Sequence, residues 1–232
     1  MKIKKIHSWD VTVGKAKLLQ MEVASQISQV SAIKDIAEIK RIGACDIAYS
    51  KNGKKVYAVC LIYTFPDLKL LERKILKKEV KKMFPYVPGY LSFREAPILL
   101  ELLKKISKIP DVLIMDGHGI AHPRGVGLAS HIGLFLDIPT IGCAKSLLYG
   151  HTQEPPPGVK GAYTFIKDDG GSLIGMTLRT REYKNPVYVS VGNKLNLDMA
   201  TDIIMKLLGK YRIPEPIRQA DLETKRIKIS RK

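Results

Sequence analysis

Three carboxylates stand where carboxylates are costly. Asp46 interrupts the apolar run Ile42-Gly43-Ala44-Cys45-Asp46-Ile47-Ala48-Tyr49, Asp116 ends the run Val112-Leu113-Ile114-Met115, and Glu95 comes early in a helical segment that follows a Pro-rich loop. A carboxylate projecting from a central strand is unstable unless something cationic compensates it. In a parallel sheet the C-terminal strand ends open onto the ligand crevice, so two such acids on neighbouring strands make a hard-cation site. With few His and no supporting Cys, an all-oxygen donor set suits Mg2+ or Mn2+ better than Zn2+. Such an ion stabilises the oxyanions of a phosphodiester during in-line displacement and lowers the pKa of its bound water. Each acid taken singly serves as well as a turn former or ion-pair partner.

The elements that must position these acids follow from periodicity. From Asp10 to about Val30 the apolar residues Val13, Ala16, Leu19, Val23, Ala24 and Ile27 recur at helical spacing, with Asp10 as the expected cap. Ile42 to Tyr49 and Val56 to Phe65 read as antiparallel strands joined through Asn52-Gly53, a hairpin dipeptide. Leu68 to Val80 is rich in Lys, Leu and Glu and locally favours helix. After Pro85-Tyr86-Val87-Pro88-Gly89, Ser92 is the expected cap of a helix that Pro110 ends. Val112 to Met115 is a short buried strand, Gly125 to Leu136 a helix and Ile138 to Gly142 the next strand. This alternation predicts a parallel portion joined to the antiparallel hairpin, hence a mixed α/β sheet. Further strands are expected around 161–166, 173–178 and 186–191, then a helix over 197–208 and a basic tail. No internal repeat or linker divides the chain, so one domain is expected over residues 1–232, its mobile basic arm starting at about 222.

Composition narrows the partners. Lys and Arg total 39 against 22 Asp and Glu, a formal net charge of +17 that favours polyanions. Cys45, Cys60 and Cys143 are far apart and form no C-x-x-C pair, which argues against a disulfide framework and a structural zinc site. A reducing, cytoplasmic compartment fits. The start, Met1-Lys2-Ile3-Lys4-Lys5-Ile6-His7, is followed by Ser8-Trp9-Asp10 in place of an apolar core, so it does not read as a secretory signal, and no apolar stretch is long enough for a bilayer. The glycines around His118 and Val126 lack the third glycine of a dinucleotide fingerprint in both frames.

Three blocks carry a resemblance. Met115-Asp116-Gly117-His118-Gly119-Ile120-Ala121-His122-Pro123-Arg124 resembles the endonuclease V pattern V-D-G-H-G-x-x-H-P-R. Pro85 to Glu95 resembles that family's P-Y-[IV]-P-G-x-L-x-F-R-E block, and Ile138 to Ser146 its I-P-x-I-G-x-A-K-S block. The resemblance implies a ribonuclease H-like fold, a three-strand antiparallel meander continuing into parallel strands and flanked by helices. That implication replaces the local helix at Leu68 to Val80 with a third meander strand.

The resemblance also implies roles. The family's metal acids fall on Asp46, Glu95 and Asp116, and Asp221 looks like the position where many members add an acid or a His. His122 and Lys145 are the implied catalytic companions, Lys145 as a phosphate contact and His122 as ligand orienter or proton relay. Tyr86 corresponds to an invading wedge. Gly89, Leu91, Gly127, Leu128, Gly142 and Leu148 are implied walls of a base pocket, with Arg94, Gly117, His118 and Arg124 as further substrate contacts. In such a pocket fixed amides and carbonyls separate hypoxanthine from adenine, because donors and acceptors exchange between the two edges. The implied activity is Mg2+- or Mn2+-dependent cleavage of DNA at the second phosphodiester bond 3′ to deoxyinosine, by a monomer with no membrane association. An endoribonuclease acting at inosine in RNA, a non-catalytic inosine or branched nucleic-acid binder, and a basic scaffold with structural acids remain alternatives.

Overall fold

Side-chain alternation along the central strands divides the core of the protein in two. In the computed structural model, which describes residues 1–229, Val112 and Ile114 of β4 (Val112–Met115) join one buried cluster, while Leu113 and Met115 join another on the opposite face. β1 (Arg41–Tyr49) alternates likewise, Ile42 and Ala44 facing the first cluster and Cys45 the second. Fully apolar strands of this kind need cover on both faces, and helices supply it.

The chain runs α1 (Val13–Ala24), a 3-10 turn (Ile36–Glu38), β1, β2 (Lys55–Thr64), β3 (Leu70–Glu79), α2 (Leu91–Leu103), β4, α3 (Leu128–Leu136) and β5 (Thr140–Ala144). There follow β6 (Tyr163–Lys167), β7 (Leu173–Leu178), β8 (Val187–Asn193), α4 (Leu197–Lys206) and α5 (Glu215–Ile229). All eight strands form one sheet in the order β3-β2-β1-β4-β5-β8-β7-β6. β1, β2 and β3 are an antiparallel meander, β1-β4 and β4-β5 are parallel, and β5-β8, β8-β7 and β7-β6 return to antiparallel. This is the mixed sheet, meander first, that the ribonuclease H-like resemblance implies.

Leu70 to Glu79 is the strand β3, so tertiary pairing overrides local helix propensity. It is an edge strand whose register sets Leu76 opposite Ala58 and Ile75 opposite Val59. Its lysines suit an edge, where charge discourages pairing with a further chain. Two expected caps also move. Thr12, not Asp10, caps α1, accepting from the Lys15 amide. α2 starts after Tyr90 without a side-chain cap, and Ser92 turns inward to hydrogen-bond His131 Nδ1 at 2.9 Å.

The expected mobile arm from about 222 is instead the second half of α5 through residue 229; Arg231 and Lys232 lie outside the described residues. Ala220 and Ile227 give this helix an apolar face that packs on Tyr57, Val59, Leu61 and Tyr63 of β2, so Lys225 and Lys228 are carried on an ordered helix. α2 and α3 cover the other face. Among the described residues no helix is long and apolar enough to cross a membrane.

Candidate active site

Strand register brings the first two acids together. Cys45 pairs with Met115 in the parallel β1-β4 ladder, and one residue further along each strand stand Asp46 and Asp116. Alternation turns Asp46 away from the α2 side and towards α5, where the Thr224 hydroxyl donates to Asp46 Oδ2. Asp221, one turn earlier on α5, accepts from Lys225 Nζ at 2.6 Å and lines the same cavity of about 370 Å3 as Asp46, Glu95, Tyr86 and Arg94. Glu95 reaches that cavity from the first turns of α2. Lys145, just beyond β5, places its ammonium 2.5 Å from Asp116 Oδ2.

Electrostatics show how closely the acids crowd. Burial, reinforced by the charges of Asp116 and Asp221, pushes Asp46 up to about 6 although Thr224 and Lys145 pull it down. Glu95 is pushed up to about 8, first by burial and then by Asp46 and Asp116, with Arg94 opposing. Burial works against the charge on Lys145, but the Asp116 carboxylate outweighs it and holds the ammonium above its ordinary range. Asp46 and Glu95, crowded by neighbouring carboxylates with a lysine drawn into their midst, make a site short of positive charge.

Among the described residues no three His, Cys, Asp or Glu side chains form a ready-made metal cage. The donor set is all oxygen, so the residues present fit a hard divalent ion.

A second cavity, of about 270 Å3, opens beside the acids. Tyr86, Gly89 and Leu91 form one wall, Gly117, His118, Gly127 and Leu128 another, and Lys145 and Leu148 a third, with Asp116 at its edge. Tyr86, 76% exposed between Pro85 and Pro88, borders both cavities. Three expected contacts lie elsewhere. Gly142 is behind the wall, where a Cβ would meet Gly119 N at 2.4 Å and Gly117 O at 2.6 Å, so only glycine lets β5 back that loop. Arg94 faces the acid cavity, donating to Phe84 O at 2.8 Å and lying 4.7 Å from the Tyr49 ring centroid. Arg124 is turned towards the Gly89 carbonyl, 2.7 Å away.

His122 is buried with both ring nitrogens committed. Nε2 faces the Gly89 carbonyl at 2.8 Å and must donate, while Nδ1 accepts the Arg124 amide at 3.1 Å. Burial lowers its pKa to about 4, so it is neutral near pH 7, and it lines the same cavity as Asp116. His118 Nε2 likewise donates to Ser146 O at 3.0 Å, and its Nδ1 is buried without a partner.

Two residues, one at the acids and one behind the second cavity, escaped sequence reasoning. Thr224 carries no motif; its signal is the helical spacing that puts it on the same side of α5 as Ala220 and Asp221. Gln20 does have a signal: it follows Ala16 by four and precedes Val23 by three, so the only amide in the core stripe of α1 stands at a buried position.

A sheet of this order, opening its acidic end onto a basic surface with a cavity alongside, is that of a nuclease-type α/β enzyme. Comparison with known proteins narrows the class. The family model for endonuclease V matches residues 21–222, and the chain belongs to the endonuclease V family. It is 43% identical to the endonuclease V of Roseiflexus sp. strain RS-1 over 213 residues, covering 92% of each chain. Its fold matches the crystal structure of the Bacillus subtilis endonuclease V with a TM-score of 0.90 at 32% identity, covering 98% of this chain and 97% of that one. It also matches, with a TM-score of 0.82 at 27% identity and covering 93% and 97%, the Ciona intestinalis endonuclease V in complex with a 24-mer DNA containing an inosine followed by a ribo-adenosine.

Proposed function

We propose that this nuclease recognises deoxyinosine in DNA and, with Mg2+ or Mn2+, hydrolyses the second phosphodiester bond 3′ to it, leaving 3′-hydroxyl and 5′-phosphate ends. The observation that carries this reading is the adjacency of the two cavities: Asp116 and Tyr86 each border the second cavity on one side and the acid cluster on the other. A base lifted out of the stack into the pocket leaves its own strand beside the acids. The Ciona relative, bound to inosine-containing DNA, supports hypoxanthine as that base.

Asp46, Glu95 and Asp116, with Asp221 alongside, would hold the ion, which when bound supplies Lewis-acid stabilisation of the phosphate and an activated water. Thr224 holds Asp46 in one orientation. Lys145 neutralises Asp116 and, being exposed at the cavity mouth, supplies the cation nearest an entering phosphate. His122, neutral and bonded on both sides, positions the Gly89 loop. Lys225 and Lys228 line the acid cavity from α5 and give the backbone a positively charged track.

Labelled strands carrying one inosine, incubated with Mg2+, should be cut one nucleotide beyond the nearest 3′ bond, with adenine controls left intact. Equal cutting of both sinks the base assignment. The ribo-adenosine in the Ciona complex favours a parallel RNA arm, and faster turnover of inosine RNA would move the substrate to RNA without changing the site. Replacing Tyr86 by Ala is expected to slow cutting of duplex about tenfold, the worth of one base-aromatic stack, and to slow single strands less. Equal losses on both substrates would remove the wedge role.

A further inference from the structure

The cavity that takes the base has two walls from distant parts of the chain, and one buried side chain ties them together. Gln20 of α1, fully buried, donates from Nε2 to the carbonyl of Gly89 at 3.1 Å and to the carbonyl of Val126 at 2.9 Å. Gly89 belongs to the wedge-side wall, while Val126 borders Gly127 and Leu128 on the facing wall. The same amide accepts from Arg124 Nε at 2.7 Å through Oε1. Arg124 in turn donates Nη2 to Gly89 O at 2.7 Å, and its guanidinium carbon lies 4.4 Å from the Tyr90 ring centroid. His122 adds a third donor to Gly89 O.

Two consequences follow. One amide nitrogen donates to both walls, so the two carbonyls are held two hydrogen bonds apart and cannot separate without breaking buried hydrogen bonds. Three donors also converge on a single carbonyl that has two lone pairs, which leaves Gly89 O no capacity to accept from a base. Gly89 is held at φ +79°, a conformation most side chains avoid, so the carbonyl's direction depends on these partners. A wall that cannot move back disfavours the extra amino group of guanine.

On this basis, and resting on the base-recognition reading above, we propose that Gln20 is a specificity-determining positioning residue: it sets the width of the base pocket by tying its two walls to one buried amide. It touches neither substrate nor the acids. Its loss should therefore show in the choice of base ahead of the rate of cutting.

The test compares cutting of hypoxanthine-, guanine- and adenine-containing strands by the full-length protein and by Gln20→Leu and Gln20→Glu, well below each melting temperature. Leu removes all three hydrogen bonds at similar volume. Glu retains the acceptor for Arg124 and loses both donations. In both variants the ratio of kcat/KM for hypoxanthine over guanine should fall about tenfold, the discrimination expected of a pocket that has become looser by one group. kcat on hypoxanthine should change less than twofold, and a merely structural role would move that rate and the ratio's two halves together. A double-mutant cycle with Arg124→Lys should be non-additive in the ratio. If the wild-type protein prefers hypoxanthine and both variants keep its ratio within twofold, the role of Gln20 is overturned while the base reading stands. A wild-type protein with no preference overturns both.

Discussion

Replacing Asp116 by Asn should reduce strand cleavage by about three orders of magnitude or more, with binding of the uncut strand unchanged or tighter. Asp116 is where the acid cluster, Lys145 and the edge of the base cavity meet. The amide keeps the side-chain volume and can still hydrogen-bond, but it removes one of the charges a divalent ion needs, and loss of such an ion forfeits several kcal/mol of transition-state stabilisation. Binding depends on the lysines and the cavity. Removing a negative charge frees Lys145 from its carboxylate and lowers repulsion of the phosphates, so gel-shift affinity should not fall. A variant that still cuts at more than a tenth of the wild-type rate would refute the assignment of Asp116.

Glu95→Gln should separate stability from activity in opposite directions. The folded chain without its ion holds Glu95 and Asp46 in surroundings that disfavour their charges. Both groups bind protons more tightly folded than unfolded, so as far as these two groups decide it the fold is most stable below about pH 4, the ordinary carboxylate range. It loses stability as pH rises through about 6 for Asp46 and about 8 for Glu95. Gln removes the more strongly shifted group. In chelator at pH 8 the variant should melt about 3–6 °C above wild type, the effect of about 1–2 kcal/mol in a chain of this size, after allowance for partial solvent screening. At pH 4.5 the two should melt together. Cleavage should be lost at every pH, and the stabilisation by added Mg2+ seen in wild type should shrink. A melting temperature unchanged at pH 8 would show that Glu95 is not under electrostatic stress.

The order of elements was legible because the central strands are short, apolar and bounded by turn residues. Val112 to Met115 and Leu173 to Leu178 have the limits that periodicity predicts. Leu68 to Val80 was not legible locally, since a Lys-rich segment scores as helix wherever no partner strand is considered, and only the pairing with β2 decides it. The acids were readable as anomalies of polarity within apolar runs. What joins them was not: the hydroxyl of Thr224 reaches Asp46 across 178 residues, and no local pattern records a contact at that separation. His122 illustrates the opposite limit. A histidine in a glycine-rich motif reads as chemistry, and the fold spends both of its nitrogens on backbone groups.

The long reach of that threonine has a biosynthetic corollary. Sheet strands and three of the acids emerge from the ribosome first, whereas α5, which covers the meander and steadies Asp46, is made last. A chain clipped before residue 224 therefore lacks the second half of α5 and the hydroxyl that Asp46 meets in the folded protein.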